Sequence, residues 1–125
     1  MTLRERQVVG VTILDIDGRI TVQDGAAELR DALQQLIGHG HEQLVLNCQQ
    51  VPYIDTTGIA AIVESYTSVI RRGGMLKLLH LTPHVRRILQ ITKLSSIFEV
   101  FTDEDAAIES FRPAQGRRAG GPDGL

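Results

Sequence analysis

Apolar residues recur along this chain with two alternating periods. In "VVGVTILDIDGRIT" Val9, Val11 and Ile13 fall on one side and Val8, Thr12 and Leu14 on the other, and Asp17-Gly18 supplies a two-residue turn signal, so a β-hairpin is predicted at the amino terminus. "DGAAELRDALQQLIGHG" changes to helical spacing: Leu29, Ala32, Leu33, Leu36 and Ile37 form one stripe, Glu28, Arg30, Asp31 and Gln35 the outer face, and Gly38 and Gly40 the stop. "QLVLNC" and "MLKLLHL" are short continuous apolar runs, as expected of parallel strands covered on both faces. Between them Ile59, Ile62, Val63, Tyr66, Val69 and Ile70 predict a helix from about residue 57 to 72, ended by Gly73-Gly74. In "TPHVRRILQIT" Thr82 is placed to cap, and Pro83 to open, a third helix with Val85, Ile88 and Leu89 facing inward. "IFEVF" reads as a strand, and Thr102 followed by Asp105 as a capping box for a last helix ending near Phe111.

A hairpin followed by strand-helix alternation predicts an α/β fold: a single domain over residues 1–111, with a mixed, mostly parallel sheet of about five strands and about four helices packed against it. The remaining segment 112–125, "RPAQGRRAGGPDGL", has almost no apolar side chain to offset the entropy of ordering and is expected to be a disordered tail. The chain has 125 residues, enough for one core. Without 112–125, 10 basic residues stand against 14 acidic ones, a net charge of -4, and only 4% of the chain is aromatic, so no nucleic-acid partner is expected. Cys48 lies alone in an apolar run and is expected to be buried and reduced. No segment approaches the ~20 apolar residues of a membrane span, and "MTLRERQVV" has no signal-peptide core. No membrane insertion and a cytoplasmic location are the expectations.

The chemistry concentrates in "VPYIDTTGIAAIV", where Asp55, Thr56, Thr57 and Gly58 stand at the junction of a strand and a helix. One reading is a helix cap: Asp55 or Thr56 accepts backbone N–H bonds and Gly58 eases the turn. The other is a modification site. A helix start favours an anion, and a phosphate on Thr57 would add about -1.5 to -2 charges beside Asp55, repelling any partner that docks an acidic or apolar surface there.

The stretch from "LVLNCQQVPYIDTTGIAAIVESYTSVIRRGG" through "MLKLLHLTPHVRRILQITKLSSIFEVFTDEDAAIESF" resembles the STAS domain of bacterial anti-sigma factor antagonists, over roughly residues 8 to 111. The resemblance implies the STAS fold and a phosphoacceptor at Thr57, with Asp55, Thr56, Gly58 and Ile59 as the flanking partner-binding positions. It also implies partner switching in transcription regulation and stress response. The unphosphorylated antagonist binds an anti-sigma factor with serine/threonine kinase activity, phosphorylation at Thr57 releases it, and a PP2C-type phosphatase restores it. The domain would then be a phosphoprotein substrate and not an enzyme, with no cofactor or metal, and a weak homodimer remains compatible. Where many antagonists carry Gly-x-Leu-Asp after the hairpin, this chain has "GRIT", without the acid.

Two other jobs fit the same fold: a STAS subunit of a lipid-transport ATPase complex, and a stressosome-type scaffold component. A response-regulator receiver needs an acceptor Asp where this chain has Asn47, and its acidic pair would have to be Asp15 and Asp17. A Thr-nucleophile enzyme needs a base within hydrogen-bond reach, whereas His39, His41, His80 and His84 lie at other element ends. Arg71 and Arg72 suit the end of their helix, and Arg86, Arg87 and Lys93 form a basic edge on the third one.

Overall fold

The computed structural model describes residues 1–112. Strands β1 (Thr2–Val8) and β2 (Val11–Asp17) pair antiparallel from Thr2 opposite Asp17 to Val8 opposite Val11. The hairpin is present, but its turn is Val9-Gly10 and not Asp17-Gly18. Val9 has φ 50 and Gly10 φ 81, the pair of positive angles that matches the twist of a two-residue hairpin. The segment "TLRERQ" hides the first strand because β1 lies at the sheet edge and needs little apolar alternation.

The chain continues through α1 (Ala26–Gly38), β3 (Gln43–Gln50), α2 (Thr56–Arg71), β4 (Met75–Leu79), α3 (Pro83–Ile91), β5 (Val100–Phe101) and α4 (Glu104–Glu109). The sheet order is β1-β2-β3-β4-β5, with β2 through β5 parallel. Each parallel strand lies beside its predecessor, so the crossovers run in one direction and lay α1, α2 and α3 on one face. There the main core joins Leu14, Leu44, Leu46, Leu76 and Leu78 of the sheet to Leu29, Leu33, Ile62, Val69, Val85 and Leu89 of the helices. The strand order never reverses, and with it goes the crevice that seats nucleotides in doubly wound folds. Loops at the carboxyl ends of the strands are what this architecture presents.

The opposite face carries a smaller core of Val11, Ile13, Val45 and Leu79, covered by Ala107 and Ile108 of α4. Beside it Arg6 links Asp15 (2.7 Å) to Glu104 (2.8 Å), while Arg4 and Asn47 also donate to Asp15. Burial alone would raise the Asp15 pKa, yet the hydrogen bonds from Arg6, Asn47 and Arg4 bring it down to about 2. Asp15 is thus committed to two guanidinium groups, not to a cation site with Asp17. Lys77, only 7% exposed, reaches Ser110 Oγ at 2.8 Å and Glu99 at 2.9 Å and lies 4.3 Å from the Phe111 ring centroid. These contacts hold α4 against the sheet.

The cap of α4 is Asp103, whose carboxylate accepts from Ala106 N at 2.9 Å, one residue after the expected Thr102; a carboxylate followed by Glu104 and Asp105 suits the helix dipole. Thr82 does precede α3, but its hydroxyl donates to Val51 O (2.7 Å) instead of capping. Arg72 donates to Ile37 O at 2.8 Å and so closes α1, not its own helix. Cys48 is buried, and burial pushes its thiol up to about 12. Apart from Arg112, the expected tail 112–125 lies outside the described residues.

Candidate functional site

Asp55 starts α2 from an extended conformation, and its carboxylate has two tasks. Oδ1 accepts from Gly58 N at 2.9 Å, closing the first turn, and Oδ2 accepts from Val22 N at 2.9 Å, tying down the loop between β2 and α1. Burial works to raise its pKa, but the N–H groups of Val22, Gly58 and Thr57 outweigh that and hold the carboxyl below its ordinary value. The cap reading of Asp55 is therefore correct and incomplete, because the same side chain is also a long-range clasp.

Two backbone bonds extend the clasp: Asp55 N donates to Ile20 O (3.2 Å) and Ile20 N donates to Tyr53 O (3.1 Å), with Ile20 bridging Ile54 in parallel register. A Cβ on Gly58 would lie 2.2 Å from Ile20 O and 2.7 Å from Ile54 Cγ1. Gly58 is thus required by this close approach; its φ is not positive. Further along the loop, Thr21 and Asp24 exchange backbone bonds of 2.8 and 3.1 Å in a tight turn that exposes Val22. The "GRIT" segment is therefore one wall of the corner.

Thr56 and Thr57 occupy the first two positions of α2. Thr56 is exposed and Thr57 half-buried, and among the described residues neither hydroxyl enters a hydrogen bond. Ile59, part of the apolar stripe of α2 and also a partner-binding position implied by the resemblance, is only 7% exposed and packs in the main core, fastening the first turn from beneath. The exposed apolar groups around the corner are instead Val22 (67%) and Tyr53 (45%). Tyr53 stacks on His84 with ring centroids 4.5 Å apart, and a His84 ring nitrogen lies 3.3 Å from Ile54 O, so the start of α3 joins the same surface. Sequence periodicity has no signal for such contacts between loops.

The remaining candidates lie elsewhere. His41 meets the Thr12 hydroxyl at 2.8 Å, at the far end of the sheet from the corner. Among the described residues no group of three His, Cys, Asp or Glu side chains could hold a metal ion, and no helix is long and apolar enough to cross a membrane. What the corner offers is two uncommitted hydroxyls on a partly apolar surface whose backbone is tied down by Asp55.

Comparison with known proteins gives a consistent pattern. A family model described as the STAS domain matches residues 2–107. The anti-sigma-B factor antagonist of Bacillus subtilis (strain 168) is 30% identical over 96 residues, which are 77% of this chain and 86% of that protein. An anti-sigma factor antagonist from Mycobacterium paratuberculosis superposes with a TM-score of 0.80 at 20% identity, over 90% of this chain and 94% of that one. The Bacillus cell fate determinant SpoIIAA, solved in its phosphorylated form, superposes with a TM-score of 0.71 at 17% identity, over 89% and 100% of the two chains.

Proposed function

The chain belongs to the STAS domain family, and from that premise we propose that it is an anti-sigma factor antagonist whose docking is switched by a phosphate on Thr57. The observation that carries the reading is the uncommitted Thr57 hydroxyl in the first turn of α2, in a corner fixed by Asp55. The partner is an anti-sigma factor that is also a serine/threonine kinase. It binds the unmodified corner through Val22, Tyr53 and the threonine face. Transfer of the γ-phosphoryl group of ATP to Thr57 Oγ1, with loss of the hydroxyl proton and departure of ADP, places a dianion there. A PP2C-type phosphatase hydrolyses the ester and restores the hydroxyl.

Asp55 gives the switch its direction. Its carboxylate already accepts from Gly58 N, so a phosphate on Thr57 meets a neighbouring negative charge and is directed outward. A partner surface that packs on Val22 and Tyr53 would then have to desolvate a dianion. The clasp between Ile20 and Asp55 keeps the backbone in place throughout, so release needs no refolding. The chain itself supplies no catalyst in this scheme; it is substrate and ligand.

The test is incubation of wild type, Thr56→Ala and Thr57→Ala with the cognate kinase and ATP, followed by mass spectrometry. Phosphate is expected on Thr57 in wild type and Thr56→Ala and on neither threonine in Thr57→Ala. Thr57→Ala should stay bound to the anti-sigma factor, and Thr57→Glu should bind at least tenfold more weakly. Label on Thr56, Ser95 or Ser96 with none on Thr57, or equal affinity of Thr57→Ala and Thr57→Glu, would refute the assignment.

A further inference from the structure

The charges of this protein are unevenly placed. Residues 65 to 98 contain six Lys or Arg and no Asp or Glu, in a chain whose formal net charge is -2. Lys77 is buried beneath α4 and Arg72 is turned to α1, whereas Arg86, Arg87 and Lys93 are exposed on or just beyond α3. Among the described residues none of these three is in an ion pair. The salt bridges of the fold involve Arg4, Arg6, Arg30, Lys77 and Arg112.

Apolar groups lie among these cations. Val85 and Leu89 of α3 face the core, which leaves Arg86, Arg87, Gln90 and Ile91 on the outer side, Arg87 and Ile91 being four residues apart and therefore stacked. Ile91 is 67% exposed, and Ile97, in the loop that follows, is 45% exposed. That loop is not free to fold over Ile91: Leu94 N and Ser95 N both donate to Leu89 O, and Tyr66 OH donates to Ile97 O.

We propose that the outer face of α3 with the loop after it, bearing Arg86, Arg87, Lys93, Ile91 and Ile97, docks an acidic amphipathic segment of a protein partner. Charge complementarity selects the sign: Arg86, Arg87 and Lys93 are in no ion pair among the described residues, and Glu99, the acid that follows this segment, is taken up by Lys77 at 2.9 Å, so the surface repels basic partners and attracts acidic ones. The two isoleucines select the class. Nucleic acid would leave them unpartnered and offers bases to stack, for which this face has no aromatic side chain beyond His84 at its start. An anionic membrane binds clusters of four to eight cations, more than this face has. A segment with acidic and apolar side chains alternating in space satisfies both features. This surface adjoins the Thr57 corner through the Tyr53–His84 stack but does not depend on the phosphorylation reading.

The experiment is titration of the ¹⁵N-labelled protein with a 16-residue helical peptide bearing Glu on one face and Leu on the other. Its Lys-for-Glu counterpart, a 12-nucleotide single-stranded RNA and vesicles containing 30% phosphatidylglycerol are titrated in parallel. The acidic peptide is expected to shift the amides of Arg86, Arg87, Ile91, Lys93 and Ile97, with binding weakened at least fivefold from 50 to 300 mM salt. The charge reversal R86E/R87E/K93E and, separately, Ile91→Ser should each weaken it at least fivefold while circular dichroism stays unchanged. The proposal is overturned if the acidic peptide shifts no α3 amide, if Ile91→Ser binds as wild type does, or if the basic peptide, RNA or vesicles bind this face as tightly.

Discussion

Replacing Gly58 by Ala tests whether the corner is held by the loop or by the helix alone. The added methyl would stand 2.2 Å from Ile20 O and 2.9 Å from Ile20 Cγ2, so the loop has to withdraw by about 1 Å to reach ordinary van der Waals contact. Withdrawal strains three hydrogen bonds: Asp55 N to Ile20 O, Ile20 N to Tyr53 O, and Val22 N to Asp55 Oδ2. At about 1 kcal/mol net each, their loss sets a ceiling near 3 kcal/mol. Alanine returns roughly 1 kcal/mol of helix propensity, leaving a destabilisation of about 1–2 kcal/mol. The assay is urea unfolding followed by circular dichroism, with amide exchange read at Ile20, Val22 and Asp55. Gly38→Ala serves as control, since nothing lies within 4 Å of a Cβ there, and it should be neutral or slightly stabilising. A Gly58→Ala protein as stable as wild type, with unchanged exchange at the three amides, would refute the clasp.

Two other outcomes follow from the fold. The depressed pKa of Asp15, about 2, means that the folded state favours its charged form, so this contribution is complete above pH ~4 and is lost as pH falls towards 2. A shift from 3.8 to about 2 corresponds to an amount on the order of 2 kcal/mol; Asp15→Asn should flatten the loss of stability between pH 5 and pH 3, and an unchanged slope would contradict the role given to Arg6. Val9→Asn should stabilise the hairpin by roughly 0.5–1 kcal/mol, because Val9 holds a β-branched side chain at φ 50 and is 76% exposed. An unchanged or lowered Tm in thermal unfolding would contradict that reading of the turn.

The element order was legible because apolar spacing is a local signal: the stripes of α1 and α2 and the aliphatic runs of β3 and β4 each carry their own period. Boundaries failed where polarity hid the pattern. β1 is a charged edge strand, so apolar spacing places the hairpin one strand too late, and the cap of α4 lies one residue later than the capping-box pattern because Asp103 serves as well as Thr102. The Asp-Thr-Thr-Gly corner was visible as a cluster of residue types. Its second wall was not, since Ile20 and Asp55 are 35 positions apart and their contact rests on backbone groups that carry no side-chain signature. Ile59 shows the limit of the cluster as a guide, because a residue inside the motif turned out to be core while Val22 and Tyr53 outside it are surface.

The outermost strand bears on how copies of the molecule meet. Were two β1 strands to join across a two-fold axis through the sheet, residues sharing a face would have to oppose one another. Centred on Arg4, that arrangement sets Arg4 against Arg4; centred on Glu5, it sets Glu5 against Glu5 and Arg4 against Arg6. Either way like charges stand directly opposite, and the sheet is discouraged from propagating from one molecule into the next. In these two registers charge therefore opposes the fusion of exposed edges into a continuous ribbon when many copies are crowded onto one assembly.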